Sequence, residues 1–162
     1  MAVLYSAREI VEAAVEKEKR RKAFYEAVTE LSTSEKMREL FQFLTEEEER
    51  HVAAFTAIRD RIPAKAGPVE YSEDMDAYMD SVIDERLYSQ IDSREFVQQA
   101  IDSDNVFRLA IGFEKDAILY FMEFLPYLEG PDKTIVEDLI AQEKGHIRKL
   151  VEVRNQLDKE SD

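Results

Sequence analysis

Two short segments, Glu48-Glu49-Arg50-His51 and Glu143-Lys144-Gly145-His146, hold both histidines of the chain, each three residues after a glutamate. On an α-helix, residues i and i+3 lie on one face about one turn apart, so each pair can aim a carboxylate and an imidazole at the same point. Two such pairs facing each other in a helical bundle could supply two nitrogen ligands and several oxygen ligands to metal ions. Two more glutamates, Glu18 and Glu114, interrupt apolar helical stripes. Burying four carboxylates in a core is costly unless something neutralises them. Two divalent cations would do so, and a mixed imidazole–carboxylate set suits iron or manganese better than an all-oxygen calcium site.

These residues need helices to position them, and the hydrophobic pattern supplies four. The first is predicted over about 6–31, with Val11, Ala14, Glu18, Tyr25 and Val28 on one stripe. The second runs to Ile62 and ends before Pro63, and Ser32 with Glu35 reads as a capping box at its start. Its stripe is Met37, Leu40, Leu44, Glu48, His51, Phe55, Ile58 and Ile62, which leaves Glu46, Glu47 and Glu49 as a solvated face. The third helix is predicted over about 103–128, with Ala110, Glu114, Ala117, Phe121, Phe124 and Leu128 inward and Pro126 bending its last turn. Gly130-Pro131 separates it from the fourth, whose stripe is Val136, Leu139, Glu143, His146, Leu150, Val153 and Leu157; residues 159–162 read as frayed.

The two halves share a plan. Glu18 precedes Glu48 by 30 residues and Glu114 precedes Glu143 by 29, and a histidine follows each second glutamate. Each half is therefore an antiparallel helix pair with one glutamate on its first helix and Glu-x-x-His on its second. Between them, residues 63–102 are too long for a hairpin and suit a crossover along a bundle. Within that crossover Gly67-Pro68 marks a turn. Ser72 would cap one short helix, carrying Met75, Tyr78, Met79 and Val82, and Asp92 with Glu95 another, carrying Phe96 and Val97.

Composition narrows the function. A chain of 162 residues fits one domain with a sizeable core. A net charge of −14 argues against nucleic acid or an anionic membrane as partner. The absence of cysteine excludes disulfides, thiolate metal sites and a thiol nucleophile. The first residues lack the order of a signal peptide, and no apolar run approaches the ~18 residues of a membrane span, so a soluble cytoplasmic protein is the default expectation.

One glutamate from each of two helices, plus Glu-x-x-His from each of two others, is the known ligand grammar of di-iron and di-manganese carboxylate bundles. The chain resembles the ferritin-like superfamily, and most closely its rubrerythrin-like branch. Glu18-x6-Tyr25, the two Glu-x-x-His pairs and the run Ala110-Ile111-Gly112-Phe113-Glu114-Lys115-Asp116-Ala117-Ile118 carry the likeness. The resemblance implies an all-α, ferritin-like four-helix bundle: one domain over 1–162, built from a helix pair at 6–62, a crossover with short helices at 63–102, and a helix pair at 103–157. It implies that Glu18, Glu48, His51, Glu114, Glu143 and His146 ligate two iron ions, or manganese, with Glu48 and Glu143 bridging. Tyr25 would hydrogen-bond a ligand. The implied activity is reduction of hydrogen peroxide, or dioxygen, in a homodimer whose interface could include Met75, Tyr78 and Phe96.

The departures are specific. With no cysteine there is no rubredoxin module, so a separate protein would have to donate electrons. Ala117 stands where rubrerythrins often carry a further glutamate. The counterpart of Tyr25 in the second half is Phe121, with Tyr120 one position off. Arg21 stands where a small residue is usual; it either pairs with a ligand carboxylate or carries its charge outward. Two other functions use the same residues: a ferroxidase that passes oxidised iron to storage, and a metal-free helical interaction protein whose core carboxylates pair with Arg21 and other bases. A lone buried histidine more often satisfies a local partner than binds metal; it is the four features together that favour a dinuclear site.

Overall fold

The computed structural model describes residues 6–63 and 91–161, the side chain of Phe124 excepted. It shows five α-helices among these residues: α1 (Ala7–Leu31), α2 (Glu35–Arg61), α3 (Arg94–Asp102), α4 (Val106–Phe124) and α5 (Gly130–Glu160). A single 3-10 turn, Leu125–Tyr127, follows α4 and contains Pro126. No helix among the described residues is long and apolar enough to cross a membrane.

Local chemistry explains most boundaries. Ser6 opens α1 with a full capping box: its hydroxyl accepts from Glu9 N–H, and the Glu9 carboxylate accepts from Ser6 N–H. The capping box expected at Ser32 and Glu35 is not formed. Ser34 caps α2 instead, accepting from Met37 N–H, and Ser32 is buried with its hydroxyl accepting from Ser34 N–H. Glu35 thereby becomes the first helical residue, where its charge suits the positive end of the helix dipole. Likewise Ser93, not Asp92, caps α3, accepting from Phe96 N–H. The expected helix over 103–128 is shorter at both ends, because Ser103, Asp104 and Asn105 form a turn with Asp104 at φ 58°. At the other end of the chain the helix continues through Lys159 and Glu160 rather than fraying, and Glu160 pairs with Lys36 of α2. The turn and short helix expected around Gly67, Pro68, Ser72, Met75, Tyr78, Met79 and Val82 lie outside the described residues.

The helices pair as the two-half plan requires. The link Ser32–Ser34 turns α2 back along α1, and α5 returns along α4 after the 3-10 turn. The pairs meet through α1 against α4 and α2 against α5, and α3 leans on α1 and α4. Two apolar layers fill the bundle. One contains Phe24, Val28, Phe41, Leu44, Val97, Phe107, Ala110 and Leu150, and the other Val11, Ala14, Phe55, Ile58, Ala117, Phe121, Val136 and Leu139. On each long helix the polar core residues fall between these layers in sequence. Glu18 lies between Ala14 and Phe24, Glu48 and His51 between Leu44 and Phe55, Glu114 between Ala110 and Ala117, and Glu143 and His146 between Leu139 and Leu150. The fold thus closes apolar layers above and below a central polar one.

Candidate metal centre

The central layer gathers all six acidic and histidine residues singled out by their spacing. Glu18, Glu48, His51, Glu114 and Glu143 are fully buried, and His146 is 5 % exposed. They form two overlapping sets: Glu18, Glu48, His51 and Glu143 in one, and Glu48, Glu114, Glu143 and His146 in the other. Within each set, one ligand atom per residue lies within 4.8 Å of all the others. Glu48 and Glu143 belong to both sets. They come from α2 and α5, the helices that also carry the histidines, so the pseudo-symmetry of the sequence becomes a pseudo-symmetry of donors.

The histidines present Nδ1 to the cluster. His51 Nδ1 is 2.7 Å from Glu143 Oε1, 3.6 Å from Glu18 Oε2 and 3.8 Å from Glu48 Oε2. His146 Nδ1 is 3.2 Å from Glu143 Oε2 and 3.8 Å from Glu114 Oε2. The rings stack nearly parallel, 5.7 Å apart with 16° between planes. Their outer nitrogens are held from the opposite helix. His51 Nε2 lies 3.0 Å from Gln142 Oε1, and Gln142 in turn donates to Asp138. His146 Nε2 lies 3.7 Å from Glu47. A metal ion at Nδ1 would require the remaining ring proton to sit on Nε2, the nitrogen that faces these partners.

Glu47 is the residue that spacing missed. In a run of four glutamates it was expected on the solvated face, yet its side chain is only 12 % exposed and sits beside His146. Its equivalent in the other half is Gln142, each lying one residue before the shared glutamate; that parallel was the available signal. Glu46 and Glu49 are exposed as expected. Tyr25, fully buried, donates its hydroxyl to Glu114 Oε1 at 2.7 Å. Tyr120 turns away and donates to the Ile10 carbonyl. Arg21 points inward: it is 1 % exposed, pairs with Glu18 and has Nε 3.9 Å from Glu48 Oε2.

The electrostatics are those of crowded buried carboxylates. Burial raises the Glu48 carboxyl well above the ordinary range, and the charges of Glu18 and Glu143 raise it further. Burial acts the same way on Glu18, but Arg21, together with contacts to Glu48 and His51, outweighs it and holds that carboxyl well below the usual range. The two carboxyls are thus pushed in opposite directions, Glu18 down and Glu48 up. Burial would lower His51, yet its contacts with Glu143 and Glu18 push it up to about 10. Even so, Glu18 Oε2, both Glu48 oxygens, Glu114 Oε2, Glu143 Oε1 and His51 Nδ1 are buried without a hydrogen-bond partner. His51 Nδ1 nevertheless lies only 2.7 Å from Glu143 Oε1. Groups left so are costly. Their number, chemistry and convergence fit two divalent cations.

No family model and no curated protein matches the sequence. Among solved structures, the chain is similar to that of a candidate ferritin-like diiron-carboxylate protein from Thermotoga maritima. The TM-score is 0.66 at 22 % identity, over 94 % of this chain and 96 % of that one. The chain has the fold of a ferritin-like helical bundle, with a carboxylate–histidine cluster buried at its centre.

Proposed function

We propose that the chain is a di-iron carboxylate oxidoreductase that reduces hydrogen peroxide, or dioxygen, with electrons from a separate donor protein. The observation that carries this reading is the pair of overlapping donor sets sharing Glu48 and Glu143, with partnerless oxygens turned toward one another. Glu18 and His51 would complete one position, Glu114 and His146 the other. When bound, two ferrous ions would supply the two electrons that, with two protons, convert one hydrogen peroxide to two waters, leaving both ions ferric.

The protein's part is positioning and exclusion. Gln142 and Glu47 orient the imidazoles, and Tyr25 holds Glu114. The apolar layers exclude bulk water from both ends of the site. A groove of about 490 Å³ reaches His146 and is lined by Phe43, Glu47, Gln142, Gly145 and Lys149 among others, wide enough for a molecule as small as peroxide. With no cysteine in the chain to hold a further redox centre, a separate donor would return the two electrons.

The test is peroxide-driven oxidation of Fe(II) bound to the metal-depleted chain. Glu48→Ala and Glu143→Ala should each abolish it, and full rates in both variants would overturn the proposal. Oxidation of many irons per chain, rather than the bound pair, would move the reading to a ferroxidase. Arg21, an internal cation among the carboxylates, favours a second reading as a metal-free helical interaction protein. That reading requires a melting temperature indifferent to Fe(II), since a ligand bound only by the folded state must raise it.

A further inference from the structure

The two halves of the centre are not equivalent, and one residue breaks the symmetry most. Arg21 lies one turn after Glu18, and the residue one turn after Glu114 is Ala117, which is wholly buried in an apolar layer. The guanidinium therefore stands on one side only. It pairs with Glu18, which belongs to the His51 donor set alone, and lies 3.9 Å from Glu48, which both sets share. It is as buried as the ligand set itself, so water screens its charge little. An arginine does not shed its proton in a protein, so its charge persists whatever the pH.

We infer that Arg21 is a built-in counter-cation for the His51 position, so that the His146 position takes its metal ion first and the second ion binds only by displacing the guanidinium from Glu18 and Glu48. This rests on the dinuclear reading above and deepens it. A cation entering the His51 set meets that positive charge at two of its carboxylates, Glu18 and Glu48; one entering the His146 set meets it at the shared Glu48 alone, with apolar Ala117 in the place equivalent to Arg21. The outer partners of the histidines act in the same direction. His146 has the Glu47 carboxylate beside Nε2, whereas His51 has the neutral amide of Gln142, and a carboxylate partner makes an imidazole the stronger donor. The groove of about 490 Å³ also opens at His146. The arginine has a second consequence. It lets the metal-free chain keep Glu18 and Glu48 buried together, so the fold does not require both ions.

The experiment is a calorimetric and visible-absorption titration of the metal-depleted chain with Co(II), under argon. The expected result is two steps, the second weaker by roughly tenfold or more, as befits a nearby buried charge. Arg21→Met, which keeps an unbranched apolar stem, should strengthen the second step by at least roughly tenfold and leave the first nearly unchanged. His51→Ala should leave the tight step and remove the weak one, and His146→Ala should do the reverse; this pair decides the order of filling even if Arg21→Met does not fold. Two equal steps in the wild type, an unchanged gap in Arg21→Met, or loss of the tight step in His51→Ala would each overturn the inference and leave the dinuclear reading standing. No Co(II) binding at all would overturn both.

Discussion

Replacing Tyr25 with phenylalanine should weaken the metal-free protein more than the metal-loaded one. The ring is fully buried and packs edge-on against Phe24 at 5.7 Å and tilted against Phe41 at 5.6 Å, contacts that phenylalanine keeps. What is lost is one hydrogen bond of 2.7 Å to Glu114, whose other oxygen is buried with no hydrogen-bond partner. A hydrogen bond to a charged group is worth ~1.5–3 kcal/mol. In a chain of this size each kcal/mol moves the midpoint by ~2–4 °C, so the metal-free variant should melt about 3–12 °C lower. If Mn(II) binds as proposed, the cation would take over neutralisation of Glu114, and the loss should fall toward the ~0.5–1.5 kcal/mol of an ordinary hydrogen bond. The assay is differential scanning calorimetry of both proteins with and without saturating Mn(II). An equal or larger loss in the metal-loaded state would refute the reasoning, and so would a metal-free loss below about 1 °C.

Other outcomes follow from the same geometry. Tyr120→Phe removes a buried hydrogen bond to the Ile10 carbonyl, which belongs to neither donor set, and should cost ~0.5–1.5 kcal/mol equally with and without metal in paired melts. Phe55→Ala opens a cavity beside Phe121 and should cost ~3–5 kcal/mol by urea denaturation. Ser34→Ala removes the α2 cap and should cost ~1 kcal/mol, whereas loss of the cap contact at Ser32 should not shift the helix start seen by amide exchange. His51 gives a pH signature. Its folded value of about 10 lies above its ordinary 6.5, so its contribution to metal-free stability is complete below pH 6.5 and is lost as pH rises toward 10. Lys17, lowered by burial and by Arg21 to about 8, acts in the opposite sense above pH 8. The decline is therefore read between pH 6.5 and 8 in thermal melts, and it should vanish with metal at Nδ1.

Periodicity carried much of this architecture. Val11, Ala14, Leu40, Leu44, Phe55, Ala110, Ala117, Val136, Leu139 and Leu150 all face the core as their spacing requires, and the interrupting polar residues meet between two apolar layers. A glutamate placed where a leucine belongs is informative because its burial is so costly. The caps were less legible. Ser32 and Ser34 have the same cap chemistry, and only the turn between α1 and α2 decides which one opens the helix. Arg21 was ambiguous because a long side chain near the core edge can reach in either direction; the pull of Glu18 and Glu48 decides it. Glu47 was hidden by its neighbours. In the run 46–49 every residue is a glutamate, and which ones turn inward depends on the phase of α2 against α5, which no single-helix pattern contains.

The most direct measurement is an anaerobic Fe(II) titration of the metal-depleted chain, followed by equilibrium dialysis and iron assay. Two donor sets sharing Glu48 and Glu143 predict saturation at two ions per chain, with uptake lost in Glu48→Ala and Glu143→Ala. Absence of saturable binding, or binding unchanged in both variants, would contradict the account and leave the six residues as a structural network balanced by Arg21.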